Sequence, residues 1–352
     1  TKKLNFVGRV SLDNSHDRQE QRKAIGSHAE NFGTYLYNQG SGYELYTLAI
    51  ARQTYDGIFT YNTNLYDNLG LKLLAGAQLI HQSSNSYDGS TNGGLVLPNL
   101  YTLANSSSFI APLTSDITYK KTGLYGQASF DYKKTLFLEG TIRKDESTAL
   151  HPNSNSYVYT SASTSLMFSE FLKSQTWLNS GKVRISYAEV GNDPAAGLLG
   201  YKTYVSTLGT NPYYTNSTVY VNFEKLKPEI ESSWEYGLES SMFNNRLSLD
   251  LSYYKTTTKD QIFRVPQSTS TSVSSSLINA GNLENKGIEV SVLGTPIKMR
   301  DFQWQIGVNW SQNRNKLLSL DEGRTNLQLA SFQSGITLNA TVGEPYGTIK
   351  GS

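Results

Sequence analysis

The stretch Glu231–Gln261, ESSWEYGLESSMFNNRLSLDLSYYKTTTKDQ, decides the fold. Apolar residues stand at every second position in 234–238 and again in 247–253, with polar or small residues between them. A period of two is typical of strands whose two faces meet different environments. Between the two runs, 243–246 supplies two Asn residues, which tolerate the positive φ of a tight hairpin turn. We therefore predict a long antiparallel hairpin with one apolar, aromatic face and one polar face.

The same alternation recurs along the chain and predicts about a dozen strands, most of roughly ten residues. The segment 16–31 is polar and charged, which is typical of a short helix or a solvated loop, and we predict a loop. Everything after Asn313 is expected to be loop-like. The other predicted strands are 4–13, 43–54, 58–66, 69–81, 117–132, 136–143, 157–168, 182–189, 284–298 and 302–313, with an extra strand near 201–206.

Connections between these strands alternate between short and long. Tilted strands of about ten residues are long enough to cross a bilayer, and lipid forces every backbone group of such strands to be paired. The predicted strands have one apolar face and are joined by short connections at one end and long connections at the other. This combination predicts an all-β fold, a transmembrane antiparallel β-barrel. The short connections are 67–68, 133–134, 243–246 and 299–301, and the long loops, expected to be extracellular, are near 83–115, 144–156, 190–227 and 264–282.

Two classes of β protein would show this alternation, and the polar faces favour one of them. A soluble β-sandwich also alternates, because its inner faces are apolar. Its strands are usually shorter, about five or six residues. The non-apolar faces here are rich in Gln, Ser and Asn, as suits a water-filled lumen.

The composition of the 352 residues excludes several function classes. Charged residues make up 17% of the chain, below the roughly 25% of soluble proteins, and 24 residues are Tyr. A net charge of +2 gives no reason to expect a nucleic-acid partner. No window approaches the ~20 apolar residues of a membrane helix. The absence of Cys excludes disulfides and thiol chemistry.

No catalytic or metal motif is present, so we predict no enzyme activity, no metal site and no cofactor. The four His residues are far apart, without the spacing of metal ligands. There is no GxSxG motif, no P-loop and no GxGxxG motif before a helix. The Asp/Asn-rich stretch 85–92 has residue types that bind Ca²⁺, but its spacing matches no calcium loop, and a solvated loop is the alternative.

Four tyrosines in predicted loops and strand ends are the candidate ligand-binding residues. Their rings are suited to stacking on a sugar or anchoring another ligand. The alternative is that they belong to the aromatic girdles of a barrel or to loop packing. The candidates are Tyr157, Tyr159, Tyr213 and Tyr214.

Several blocks of sequence have a distinctive wording. They are LKPE at 226–229, WEYGL at 234–238, FNNRL at 243–247, NAGNLENKGIE at 279–289, VGEPYG at 342–347, the 125–132 strand and TIRKD at 141–145. Together these blocks resemble the SusC/RagA family of TonB-dependent outer-membrane transporters of Bacteroidetes. The resemblance covers roughly 118–347. Glu146-Ser147 departs from a usual Gly-Ser, and 190–222 has no counterpart.

The resemblance implies a barrel larger than this chain. Members of the family are similar to 22-stranded barrels filled by an N-terminal plug that follows a TonB-box. Neither part is recognisable here, so we expect 1–352 to be a segment of that barrel, with the plug domain elsewhere. Open strand edges are not tolerated in lipid, so the remaining strands must come from the same transporter.

The resemblance also implies active import across the cell outer membrane. In the family, a SusD/RagB-like lipoprotein caps the mouth, and TonB pulls on the plug-bearing part. The ligand would be an oligosaccharide or a peptide, and membrane lipid would cover the outside of the wall. The alternatives are a passive outer-membrane porin or adhesin barrel, complete in itself, and a soluble carbohydrate-binding β-sandwich.

Overall fold

The computed structural model describes residues 3–27, 40–194, 204–208, 211–215, 219–221, 225–266, 275–332 and 335–351. Strands make up nearly all of this part of the chain, which confirms the all-β prediction. The strands are β1 (Leu4–Lys23), β2 (Gly42–Tyr66), β3 (Leu69–Ser90), β4 (Asn92–Leu95), β5 (Ser106–Ser108), β6 (Leu113–Tyr132), β7 (Leu136–Ser147), β8 (Ser156–Leu166), β9 (Leu178–Asn192), β10 (Tyr204–Leu208), β11 (Asn211–Thr215), β12 (Val219–Val221), β13 (Glu229–Met242), β14 (Leu247–Pro266), β15 (Ser275–Lys298), β16 (Gln303–Leu320), β17 (Asn326–Ser331), β18 (Thr337–Thr341) and β19 (Thr348–Lys350).

One sheet of 12 strands dominates the structure. Its order is β1-β2-β3-β6-β7-β8-β9-β13-β14-β15-β12, and β16 pairs with β15. The long ladders from β7 to β16 are antiparallel, as hairpin-connected strands require. The short β12 instead lies parallel to β15. Within the described residues no ladder joins β1 to β16, so the sheet is not closed.

The β13–β14 hairpin has the register that the alternation predicts. Met242 pairs with Leu247 next to the turn, and Leu238 pairs with Leu251 further along. Directly opposed residues share a face of the sheet. The apolar side chains of both strands therefore lie on one face, and the polar side chains lie on the other.

The turn of this hairpin uses the left-handed backbone region three times in succession. Phe243, Asn244 and Asn245 have φ of 57°, 55° and 59°. Asn tolerates this region, but Phe does so only at a steric cost. The Phe243 N–H donates to the Trp177 carbonyl, with an N···O distance of 2.7 Å. Ser241 Oγ donates to Asn245 Oδ1 at 2.7 Å. These bonds stabilise the turn that the two Asn residues predicted.

The prediction of a loop at 16–31 is wrong for 16–23, because β1 continues to Lys23. Arg18 and Arg22 both pair with Glu20, each at 2.6 Å. Residues two apart share one side of a strand, so these ion pairs fit extended backbone. Polar residues on both faces leave no hydrophobic alternation, although the backbone ladder continues. Residues 28–31 lie outside the described residues.

Other strands also extend beyond their predicted ends. The predicted strands 43–54 and 58–66 are one strand, β2, whose 25 residues span roughly 80 Å. Only about ten residues are needed to cross a membrane. β2 is therefore longer than a bilayer crossing requires.

The predicted loops 83–115, 144–156 and 264–282 are accordingly shorter than expected. Parts of each belong to strands: β3 runs to Ser90, β6 begins at Leu113, β7 runs to Ser147, β14 runs to Pro266 and β15 begins at Ser275. In the long connection 190–227, β9 ends at Asn192, and β10 pairs with β11 near the predicted extra strand.

The prediction that everything after Asn313 is loop-like is wrong. β16 continues to Leu320, and β17, β18 and β19 form an antiparallel sheet of their own. These strands are short, so their apolar runs give little periodicity. β17 and β18 bury Leu327 and Ala340 against the ends of β14, β15 and β16. The shared core contains Phe263, Val265, Ala280, Leu283, Leu317, Leu327 and Ala340.

The chain divides into two compact units. The first unit is Thr1–Val7, Gly57–Ala77 and Thr122–Ser352, and the second is Gly8–Asp56 and Gln78–Lys121. Within the second unit, Thr91 Oγ1 accepts from the Tyr43 N–H at 2.9 Å, and Ser41 Oγ accepts from the Leu95 N–H at 2.8 Å.

Among the residues described, no helix has the length and apolar character needed to cross a membrane.

Candidate functional site

The polar face of β9, β13 and β14 is built around Arg184. Arg184 is paired with Gly237 of β13, and Gly237 is paired with Ser252 of β14. The guanidinium lies across Gly237 and donates from Nη2 to Ser252 Oγ at 2.8 Å. A Cβ atom at position 237 would lie 2.5 Å from Arg184 Cζ and 2.6 Å from its Cγ. The glycine therefore provides the space that the arginine occupies.

Three carboxylates surround this arginine. Arg184 Nε lies 3.4 Å from Glu235 Oε1, Nη1 contacts Glu239, and Nη2 lies 3.5 Å from Asp250 Oδ1. Lys182 Nζ also lies 3.4 Å from Glu239. These side chains are 27–50% exposed, so water competes for each pair and limits its contribution to stability. The network is a wet, charged surface that spans three strands.

Two open grooves lie along this polar face. One, of about 720 Å³, is lined by residues that include Arg184, Glu235, Asp250 and Tyr254. The other, of about 850 Å³, extends from Arg184 towards β6 and β7 and includes Glu139.

Glu139 accepts hydrogen bonds from polar side chains of β6. Gln127 Nε2 donates to Glu139 Oε2 at 2.7 Å, and Ser129 Oγ donates to the same atom at 2.9 Å. The polar face thus offers both donors and acceptors, with cations and anions close together. Such a surface is suited to non-covalent contact with hydroxyl, amide or charged groups.

The opposite face carries an exposed aromatic patch, which we call the apolar face. Tyr187 and Trp234 have ring centroids 4.9 Å apart, and Tyr236 lies 6.3 Å from both Trp234 and Tyr253. Trp234, Tyr236 and Tyr253 are 46%, 44% and 40% exposed. Contiguous exposed apolar surface marks contact with lipid or a partner. Aromatic rings next to aliphatic ones are typical of the outside of a membrane barrel.

The structure brings the first two candidate tyrosines together at the start of β8. The rings of Tyr157 and Tyr159 are 5.9 Å apart, and Tyr157 is only 8% exposed. The Tyr157 hydroxyl donates to Asp193, and the Tyr159 hydroxyl donates to Asp145 at 2.6 Å. Asp145 is 1% exposed and also accepts from Arg143 Nε at 2.7 Å. This geometry favours packing, and ligand binding by the pair stays a prediction.

The other two candidates are in a different element. Tyr213 and Tyr214 lie in β11, opposite Ser206 and Val205 of β10. Their side chains lie outside the described residues, so their binding role also stays a prediction.

The stretch 85–92, whose residue types could bind Ca²⁺, is partly strand in the structure. Residues 85–90 of the Asp/Asn-rich stretch belong to β3. In the ranges that the structure describes, no group of three or more His, Cys, Asp or Glu side chains is arranged to hold a metal ion.

Sequence reasoning missed the network around Arg184. The pairing of Glu239 with Asp250 follows from counting back from the 243–246 turn. The pairing of Arg184 with Gly237 does not follow in that way, because a long connection separates β9 from β13. One sequence signal was available: β9 carries cations at every second position, Lys182 and Arg184, and β13 carries the carboxylates Glu235 and Glu239.

With this geometry established, comparison with known proteins decides the family. The family profile described as "TonB dependent receptor-like, beta-barrel" matches residues 4–347. The chain belongs to this family. This TonB-dependent receptor β-barrel chain is 30% identical, over 207 residues, to the TonB-dependent receptor P3 of Formosa agariphila. The matched region is 57% of this chain and 20% of that protein.

Two further comparisons connect the TonB-dependent receptor chain to the SusC and RagA neighbours that its motifs predicted. The TonB-dependent receptor SusC of Bacteroides thetaiotaomicron is 22% identical over 339 residues, which are 90% of this chain and 33% of SusC. The solved structure of the RagAB peptide transporter matches with a TM-score of 0.82 and 19% identity, over 98% of this chain and 38% of that chain. The predicted barrel fold is confirmed. The chain spans about 20% to 33% of the length of these curated relatives.

Proposed function

We propose that this chain is a section of the wall of an active outer-membrane importer. One observation carries the proposal: a single 12-stranded sheet has an exposed aromatic face and a wet, charged face. Hydrocarbon accepts the first face and excludes the second. In the proposed arrangement the aromatic face lies against lipid, and the network around Arg184 lines the lumen.

The free edges of the sheet support a larger barrel. Within the described residues, β1 and β16 each pair with one strand of the sheet only, so most backbone groups on their outer sides have no strand partner. Hydrocarbon offers these groups no hydrogen-bond partner. Further strands of the same transporter would complete the wall. The plug and its contact with TonB would belong to the parts of the protein beyond this segment.

The long connections would face the cell exterior. In this arrangement the connections 91–112, 148–155 and 193–228 would form the long rim, and the tight turns at 67–68, 133–135 and 243–246 would form the opposite rim. Outer-membrane barrels have short periplasmic turns and longer extracellular loops. The strand extensions beyond the apolar face would raise the long rim towards a SusD/RagB-like surface lipoprotein.

The ligand would be an oligosaccharide or a peptide. The two grooves of about 720 and 850 Å³ offer hydroxyls, amides and charges of both signs. Polar oligomers present complementary hydroxyl or amide groups along their length. RagAB, whose structure this chain resembles, is a peptide transporter, which makes a peptide the first class to test.

Uptake by living cells tests the function. Cells that produce the full-length protein and a SusD/RagB-like lipoprotein are given fluorescent peptide and oligosaccharide mixtures, with and without functional TonB. An active importer accumulates one of these ligand classes only when TonB is present. Uptake that is unchanged in cells without TonB would identify a passive porin instead, and the absence of uptake of either class would reject transport of both.

A further inference from the structure

A basic cluster lies on the apolar face where its aromatic side chains end. Lys255 of β14 is paired with Lys286 of β15, and Lys286 is paired with Arg314 of β16. Glu284 of β15 is paired with Lys316 of β16. Positions two apart along a strand share a face, so these five residues occupy one patch. Four of the five residues are cations, and Glu284 is the only anion among them.

Glu284 is the shared partner of two of these cations. Lys255 Nζ lies 3.1 Å from Glu284 Oε2, and Lys286 Nζ lies 3.7 Å from Glu284 Oε1. Both lysine side chains are 49% exposed, whereas that of Glu284 is 13% exposed. Arg314 and Lys316 are also exposed. One carboxylate therefore stands among four cations, and the patch has an excess of positive charge that an anion would neutralise.

The position of the cluster relative to the aromatic side chains gives its depth in a membrane. Tyr253 precedes Lys255 on the same face of β14, and Ile288 follows Lys286 on the same face of β15. On β16, Trp310 lies four residues before Arg314 and is 51% exposed. Tyr and Trp rings mark the boundary between hydrocarbon and headgroups. Lys and Arg immediately beyond them extend to the level of lipid phosphates.

We propose that this cluster binds the phosphate of an anionic lipid in the leaflet nearest the long connections. Its acyl chains would lie against Tyr253, Ile288 and Trp310. Arg314 would form two parallel hydrogen bonds to the phosphate, while the lysines supply point charges. The inference rests on the proposed function, because it requires the apolar face to contact lipid.

Lipid binding to the purified full-length transporter tests the site. The probe is dioleoyl phosphatidic acid, added to the transporter in a neutral detergent and measured by native mass spectrometry. The test variant is Lys286→Gln with Arg314→Gln. The matched control is Lys298→Gln with Arg300→Gln, which makes the same charge change at the last residue of β15 and in the short turn that follows it. We expect the test variant to lose about tenfold or more in affinity and the control to retain wild-type affinity.

Three results would overturn the inference. The first is equal phosphatidic acid binding by the wild type and the test variant. The second is equal binding of dioleoyl phosphatidylcholine, whose headgroup carries its own cation. The third is displacement of the lipid by inorganic phosphate at equal concentration, which would make the site one for a free anion. TonB-dependent uptake is measured in the same variants. Normal uptake with unchanged lipid binding rejects the lipid site alone, whereas loss of TonB dependence in the wild type rejects the proposed function.

Discussion

Gly237 lies directly opposite Arg184, and the absence of a side chain at Gly237 lets the guanidinium cross β13 to reach Ser252 on β14. The relationship joins three strands through one arginine. It also explains a glycine in the middle of a long strand, where glycine is otherwise unfavourable.

A side chain at position 237 should displace Arg184. Gly237→Val would place methyl groups in the volume of the guanidinium, and we expect a loss of about 1–3 kcal/mol in the free energy of unfolding of the barrel. Gly140→Val is the control, because a Cβ atom there meets nothing closer than 3.9 Å. Urea titration of the reconstituted transporter measures both variants. Equal stability of the two variants would contradict the role assigned to Gly237.

A charge on the proposed lipid face should be far more damaging than one on the polar face. Leu249→Arg places a cation against hydrocarbon and should cost about 2–4 kcal/mol if it lies near the bilayer midplane. The neighbouring Ser248→Arg points towards the lumen and should cost much less. The yield of folded, heat-modifiable barrel in outer membranes compares them. If both variants fold equally well, the assignment of faces is wrong.

The core shared by β14–β18 should depend on Leu317. This side chain is 0% exposed, and Leu317→Ala should lower the free energy of unfolding by about 2–4 kcal/mol through lost burial and a cavity. Leu318 is 40% exposed, and Leu318→Ala should change stability by no more than about 0.5 kcal/mol. Proteolysis of the long-connection rim under mild urea detects local opening of this core. Similar cleavage of the two variants would show that the core does not hold β17–β19 in place.

Tyr157 should contribute to stability more than to ligand capture. Tyr157→Phe removes the hydroxyl that donates to Asp193 and should cost about 1–2 kcal/mol. Tyr55→Phe removes an exposed hydroxyl that donates to Gln53 at 3.2 Å and should be nearly neutral. Uptake affinity is measured alongside unfolding. A large loss of affinity in Tyr157→Phe with unchanged stability would instead establish it as a ligand-binding residue.

Sequence periodicity predicted those parts of the fold where the two faces of a strand meet different environments. The alternation from Trp234 to Tyr253 predicted the hairpin, the polarity of its two faces and its register, because an apolar and an aqueous environment select side chains of different polarity. Periodicity failed at 16–23, where β1 has polar residues on both faces. Its remaining signal was electrostatic, in the spacing of Arg18, Glu20 and Arg22.

The polar surface was predictable only within hairpins. A tight turn sets the register between its two strands, so the approach of Glu239 and Asp250 follows from counting. The contacts of Arg184 depend on a ladder between strands joined by a long connection, and sequence spacing contains no such register. The small β17–β19 sheet was missed for a related reason, because its strands are too short for a period of two to stand out.

The most direct test of the central claim is the composition of the native complex, purified in detergent from outer membranes and weighed by intact-mass spectrometry. A wall section of a TonB-dependent importer predicts this sequence within a polypeptide far larger than 39.0 kDa, together with a surface lipoprotein. A lone chain of 39.0 kDa that behaves as a complete, heat-modifiable barrel would contradict the account, and a passive pore or adhesin would then replace it.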